Sequence, residues 1–477
     1  MFTRCSVLLA LGLAVAMPAG AIAAPVASSL HEDAAPLTGD EAVDWLLGYL
    51  RIDTSNPPGN ESAAAAYLAA ILHAEGIPTR LLVTPSGRAN LFAKLSSPRP
   101  SGGALVLLHH MDVVPPGDAW TRRPFAAEIA DGRIWGRGAI DAKSLGISHL
   151  AALVALKREG VALDRDLIFL AVADEETGGA HGAQWLWEQH GDLFAGVAGV
   201  LNEGGSNRVA GQRLFWWGVE VAQKRPLWLR ISTEGRGGHG STYNPASATH
   251  QLVASLSNLF REVPQLRVTP AAKDYFGALS RFHGDAFGQV FGSGDLETVE
   301  RQFARMREEG RTGEVLMPGM TAFFQDTIQI TALETPTSSI NVVPQQASAL
   351  VDVRLLPDTP VEDLLKRMRK AMGRNPSIEV LLSSPPTPPS PTDSEIYRSL
   401  ERSLAADAPI VPSFITGTTD SRYFRERGVP AYGFSPFVLS GDEVRGIHGP
   451  DESIPLARFR DGLAVMKRVV RSAVGAG

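Results

Sequence analysis

Apolar runs and amphipathic stretches succeed one another in a regular order along the first half of the chain. "TRLLVT", "NLFAKL", "ALVLLHH", "DLIFLAVAD" and "GVAGVLNEGG" are short apolar runs bounded by turn residues, the pattern of strands covered on both faces. Helical stretches stand among them: "EAVDWLLGYLRI" with Asp40 placed as its cap, "ESAAAAYLAAILHAEG" ended by Gly76, "SLGISHLAALVALKREG" and "AHGAQWLWEQHG". Buried strands alternating with helices predict an α/β domain with helices on both faces of its sheet.

The pattern changes near Lys224. "PLWLRISTEG" alternates apolar and polar positions as a half-buried strand does, and "NPASATHQLVASLSNLFREV" is a helix with Pro245 near its start. "TIQITALET", "SALVDVRLLP", the helix "VEDLLKRMRKAMG" and "IEVLLSS" complete a β-α-β-β-α-β order, which predicts a ferredoxin-like α+β unit. Residues 265–325, rich in Arg, Gly and Phe, interrupt it as an insertion to which the pattern assigns no role. "PPTPPSPTD" (385–393) reads as a stiff linker back to the first domain. The expected partition is an α/β domain over 39–223 and 385–477, interrupted by a smaller α+β domain over 224–384.

Ahead of these elements, Arg4 precedes an apolar stretch that Pro18 and Gly20 break, and Ala21-Ile22-Ala23 offers a small-x-small cleavage site. Residues 1–24 therefore read as a secretory signal peptide and 25–38 as a linker, with a retained membrane anchor as the alternative. Export to the periplasm or the exterior follows as an expectation. Cys5, the only cysteine, would leave with the signal, so metal binding or nucleophilic chemistry in the mature chain falls to His, Asp and Glu. A formal net charge of −6 with no extended basic run excludes a general nucleic-acid binder.

The polar residues that matter stand where strands end. His110 and Asp112 close "ALVLLHHMD", on one strand face two residues apart. A metal-bound imidazole commonly gives its second N–H to a carboxylate, the place open to Asp112. Asp141 lies in a turn before a helix, Asp174, Glu175 and Glu176 end another apolar run, Glu203 ends "VLNEGG", and His448 sits in a loop before the last helix. Two carboxylates about 4 Å apart repel by roughly 4 kcal/mol at an effective dielectric near 20. The acidic triplet is thus either solvated or neutralised by cations. In open α/β sheets the carboxyl ends of strands form the ligand-binding edge, and two His with several carboxylates suit zinc, with Mn or Co as substitutes.

The motifs "HHMDVVP", "GRGAIDAK", "DEETGG", "NEGG", "GGHGS", "NVVP…VDVR", "GTTDSRYF" and "IHGPDE" together resemble the dinuclear zinc amidohydrolases and exopeptidases that include aminoacylase, glutamate carboxypeptidase, carboxypeptidase S and succinyl-diaminopimelate desuccinylase. The likeness spans roughly 40–475 and leans towards the carboxypeptidase S and N-acyl-amino-acid hydrolase branch. The resemblance implies that His110 and Glu203 hold one zinc, Glu176 and His448 the other, and that Asp141 bridges them. It implies that Asp112 orients His110 and that Glu175 is the general base. Three ligand carboxylates would leave a two-zinc core near +1, which favours an ionised Glu175.

The same resemblance makes His239 an oxyanion-stabilising residue reaching from the smaller domain, often of a partner subunit; as a plain loop residue it would be surface. Arg354, with Asn341, becomes the fork for a substrate carboxylate, where the bland reading is a surface ion pair with Asp352. Gly417 resembles the backbone that closes around that end, and Arg422 assists. His109, facing the other side of its strand, is read as structural. Glu203 follows Asn where many relatives carry Asp, and the insertion puts the trans placement of His239 in question. The resemblance implies hydrolysis of an amide next to a free carboxylate, in an N-acyl amino acid or a short peptide, with the larger domain catalytic and the smaller one a lid or dimerisation domain through which a homodimer is possible. A zinc aminopeptidase and an inactive ligand-binding homologue are the alternatives.

Overall fold

The structure is a computed structural model that describes residues 37–475, apart from 99, 206, 262–265, 293–294, 318, 338 and 445. The expected signal peptide lies outside the described residues. The first described helix, Gly39–Leu50, starts at Thr38, whose hydroxyl accepts the N–H of Glu41 at 3.1 Å. Asp40, expected as the cap, instead occupies the first turn, where its charge favours the positive end of the helix.

The central sheet runs Thr79–Val83, Ala89–Leu95, Leu167–Val172, Ala104–His110, Val197–Asn202, Ala431–Gly433, Arg213–Gln223 and Ile410–Ile415 from edge to edge. Strands Leu167–Val172, Ala104–His110, Val197–Asn202 and Ala431–Gly433 are mutually parallel. Leu105, Leu107, Leu167 and Phe169 pack with Leu46, Leu68 and Leu150 in one core. Val106, Leu108, Ile168 and Leu170 pack with Leu186, Phe194 and Phe424 in another. Alternate side chains of the same strands thus fill two cores, which is why these runs are apolar throughout. Because the strands are parallel, the polar residues that follow them emerge along one edge.

The smaller domain is a four-stranded antiparallel sheet ordered Thr327–Glu334, Gln346–Leu355, Arg225–Glu234, Ser377–Ser383, the ferredoxin-like order. Leu227, Leu229 and Ile231 face its helices Ala248–Arg261 and Val361–Met372. The intervening Trp228, Arg230 and Ser232 lie on the open face.

The insertion departs from its expected place. It forms helices Pro270–Leu279, Asp285–Phe291 and Leu296–Glu308, whose Phe276, Phe291 and Phe303 belong to the catalytic domain's core and not to that of the lid. Phe282 stacks near Trp216 at 4.7 Å and Phe323 meets Phe414 edge-on at 5.6 Å. The insertion thereby covers the strand Ile410–Ile415 at the sheet's edge, a position that otherwise invites unwanted pairing. Truncating Phe276, which is fully buried, would cost about 3–5 kcal/mol.

A polar knot gathers the chain where it passes between the domains. Lys224 is buried, and its Nζ donates to the carbonyls of Ala322 and Gln325 and to the Thr327 hydroxyl, at 3.2, 2.9 and 3.1 Å. Arg225 donates to the carbonyls of Ser384 and Thr359, and Arg267 to Asp358 and the Thr359 hydroxyl.

Candidate metal centre

His110, 2% exposed at the end of its strand, directs Nε2 to Asp141 Oδ1 at 3.1 Å and Glu203 Oε2 at 3.4 Å. His448 directs Nε2 to Asp141 Oδ2 at 3.1 Å and Glu176 Oε2 at 3.2 Å. Each oxygen of Asp141 thus faces one imidazole. Two donor groups result, His110–Asp141–Glu203 and Asp141–Glu176–His448, each with its atoms within 4.8 Å of one another. The five residues expected from the sequence come together, with Asp141 shared.

The electrostatics of this cluster fit cations. Burial, reinforced by Asp141 and Glu176, pushes Glu203 up to about 7. Hydrogen bonds to Asp141 and Glu176 raise His448 to about 10. Burial opposes charge on Asp141, yet the two imidazoles hold its carboxyl well below the usual range. Oε1 of Glu176 is buried without a hydrogen-bond partner among the described residues, an arrangement that a ligand-binding carboxylate explains. Imidazole nitrogens mixed with carboxylate oxygens are a donor set for zinc or a similar divalent ion.

Asp112 lies against His110 through both its backbone carbonyl and its carboxylate. His110 Nδ1 lies 2.9 Å from the backbone carbonyl of Asp112 and 3.5 Å from its Oδ1. The carbonyl therefore takes the N–H and leaves Nε2 as the donor to a metal. The Asp112 carboxylate also accepts the backbone N–H groups of Glu175 and Glu176, each at 3.1 Å. Glu175 itself forms no side-chain hydrogen bond to a described residue. Burial first, then the charge of Glu203, holds its carboxyl well above the usual value.

Two groups that sequence reasoning missed hold the centre together. Glu452, fully buried, accepts from Arg137 Nη1 at 2.8 Å and from the backbone N–H groups of Gly138, Ile140 and Asp141 at 2.8, 2.7 and 3.1 Å. It stands in the "IHGPDE" motif from which only His448 was drawn. Asn56 donates to Asp112 Oδ2 at 2.8 Å; a single Asn in "SNPPG" carries no periodic signal.

The substrate-binding assignments divide. His239 is exposed on a ribbon in which Gly238–His239 pairs with Val342–Val343, and its Nδ1 contacts the Ser241 N–H and hydroxyl at 3.1 and 2.7 Å. Asn341 adjoins it, accepting the Gly240 N–H at 2.8 Å. Neither hydrogen-bonds to the five-residue cluster. Arg354 Nε pairs with Asp352 at 2.9 Å, and Asp352 also accepts Trp228 Nε1 at 3.1 Å. A Cβ on Gly178 would lie 3.6 Å from the Trp228 ring, so the lid's open face meets the catalytic domain beside the Glu175 turn. Gly417 has open space around its Cα. Next to it, the Thr418 hydroxyl donates to the Lys224 carbonyl at 3.1 Å. Arg422 is buried beside the turn that carries Glu175. It is 3% exposed and donates to the Gly178 carbonyl at 2.9 Å and to the Tyr423 hydroxyl at 3.0 Å, bracing the turn that carries Glu175. His109 is buried against Tyr49 and Phe169.

Two histidines around a shared aspartate at an α/β sheet edge, beside a ferredoxin-like lid, form a site suited to a metal-dependent hydrolase. Residues 106–472 match the model of peptidase family M20/M25/M40, and the chain belongs to that family. It is 27% identical to pig aminoacylase-1 over 88% of this chain and 92% of that one. It is 30% identical to the N-fatty-acyl-amino acid synthase/hydrolase PM20D1 of Xenopus tropicalis over 73% of this chain and 68% of that one. The fold superposes on an M20 family metallo-carboxypeptidase from Sulfolobus solfataricus with a TM-score of 0.70 at 19% identity, covering 91% and 99% of the two chains.

Proposed function

We propose that this chain is an exported, two-zinc amidohydrolase that cleaves the amide of an N-acyl amino acid or short peptide next to its free carboxylate. The observation that carries the reading is Asp141, whose two oxygens each face one histidine at 3.1 Å. His110 and Glu203 would hold one cation and Glu176 and His448 the other. When bound, the cations supply Lewis acidity to the amide carbonyl and make water a stronger acid. Glu175 takes a proton from the attacking water and delivers it to the leaving nitrogen. Its position, with no side-chain hydrogen bond to a described residue to give up, suits that transfer.

Arg354 supports the carboxylate half of the reading. Only Nε is engaged by Asp352, which leaves the two terminal amino groups to form a fork. Its charge contributes to lowering Lys224, and Lys224 is bonded to Thr418 beside the open Gly417. The exposed ribbon of His239, out of hydrogen-bonding contact with the centre in a single chain, is the part this reading assigns to a partner copy through the lid.

Zinc-loaded protein assayed on N-acyl amino acids and on their C-terminal amides tests the reading. Cleavage of the acids alone is expected, and Arg354→Ala should raise KM for them by roughly 10-fold or more, the loss of a charge-assisted pair. Equal cleavage of acids and amides would remove the fork from the account.

A further inference from the structure

Asn56 lies in the segment after the first described helix, 3% exposed, with its backbone N–H held by the Val113 carbonyl at 2.9 Å. It is distant in sequence from all five proposed ligands. Its Nδ2 lies 2.8 Å from Asp112 Oδ2, 3.1 Å from Asp174 Oδ1 and 2.9 Å from Thr177 Oγ1. Those three acceptors surround one turn. Asp174 and Thr177 flank Glu175 and Glu176, and Asp112 accepts the N–H groups of both glutamates.

This turn needs anchors. Asp174 has φ of 70°, a left-handed conformation that costs a non-glycine residue roughly 1–2 kcal/mol. Its carboxylate is held from three sides: by Arg88 Nη1 at 2.6 Å, by the His181 N–H at 3.0 Å and by the Thr177 hydroxyl. Arg88 is in turn paired with the buried Glu61. Asn56 is the side chain that joins this anchored Asp174 to Asp112. It does so as a neutral donor between two carboxylates, where an acidic residue would add a third negative charge.

We propose that Asn56 is a positioning residue for Glu175. By tying Asp112, Asp174 and Thr177 together, it sets where the turn places the base relative to the reacting amide, touching neither substrate nor metal. The inference rests on the reading of Glu175 as general base. A displacement of about 1 Å in a reacting group can cost on the order of 100-fold in rate.

The test is steady-state and single-turnover kinetics of metal-loaded Asn56→Ala, with metal analysis of the same samples. The expected result is a 10- to 100-fold fall in kcat, KM within about twofold, and unchanged metal content. In a Glu175→Gln background, where no base remains to be placed, Asn56→Ala should change the residual rate less than about threefold. Thr177→Val, which removes one of the three acceptors and serves if Asn56→Ala does not fold, should lower kcat in the same way by a smaller factor. An unchanged kcat, a loss that multiplies fully in the Glu175→Gln background, or a loss that tracks metal content would each overturn the proposal. Absence of any amide turnover by the wild-type protein would instead overturn the reaction assigned above, so the two failures are distinguishable.

Discussion

Glu452 accepts the backbone N–H of Asp141 at 3.1 Å from a position four residues after His448. The segment that supplies one histidine therefore also fixes the loop that supplies the shared aspartate. Glu452 carries no free capacity for a metal, since Arg137, Gly138 and Ile140 take the rest of its carboxylate.

Glu452→Gln should therefore weaken metal binding without removing a ligand. Loss of a group that orients ligands typically costs 10- to 100-fold in metal affinity, and a competition titration against a chelator would read it. Glu452→Ala leaves the buried Arg137 guanidinium unpaired and should destabilise the fold by about 3–5 kcal/mol. Metal affinity unchanged in Glu452→Gln would separate this contact from the centre.

Removing the metal should itself lower stability. Glu176, Glu203 and Asp141 crowd the two imidazoles, and burial raises Glu176 and Glu203. A cation bound at 1,000 times its Kd adds about 4 kcal/mol. Chelation with EDTA should lower Tm by on the order of 5 °C, restored by zinc. An unchanged melt with the metal demonstrably gone would contradict the neutralisation argument.

Lys224 gives the knot between the domains a pH signature. Burial, with Arg354 adding in the same direction and Asp326 and Asp352 opposing, lowers its amine from 10.5 to about 8. Between those values the unfolded chain holds a proton that the folded chain lacks, so stability rises with pH. Below about 8 both states are charged and the penalty is constant. The stability difference between wild type and Lys224→Met should grow by about 2–3 kcal/mol from pH 7.5 to 10.5. Denaturant titrations giving a flat difference would show that the amine is not desolvated as its burial requires.

Much of the fold was legible because parallel strands filling two cores are apolar along most of their length, as residues 104–108 and the strand Leu167–Val172 are. The residues that follow them, His110 and Asp174–Glu176, then stand out as polar groups at strand ends. Long-range packing left no such mark. The helices bearing Phe276 and Phe303 have apolar faces, yet nothing local says that those faces join the core that holds Trp216 and Phe414 instead of that of the lid. Arg422 sits in a motif whose likeness suggested a substrate contact, whereas its burial under the Gly178 carbonyl depends on how two distant turns stack. Asn56 and Glu452 are single polar residues in loops, visible only once three separate segments are folded onto them.

The central claim is that Glu175 moves the proton at a centre built on Asp141. It is tested most directly by comparing metal-loaded wild type with Glu175→Gln on one N-acyl amino acid, with metal counted in both. The account expects two cations per chain in each protein and a fall in kcat of at least about 100-fold for Glu175→Gln. Near-normal turnover by Glu175→Gln, or well under one cation per chain in the active wild type, would contradict it.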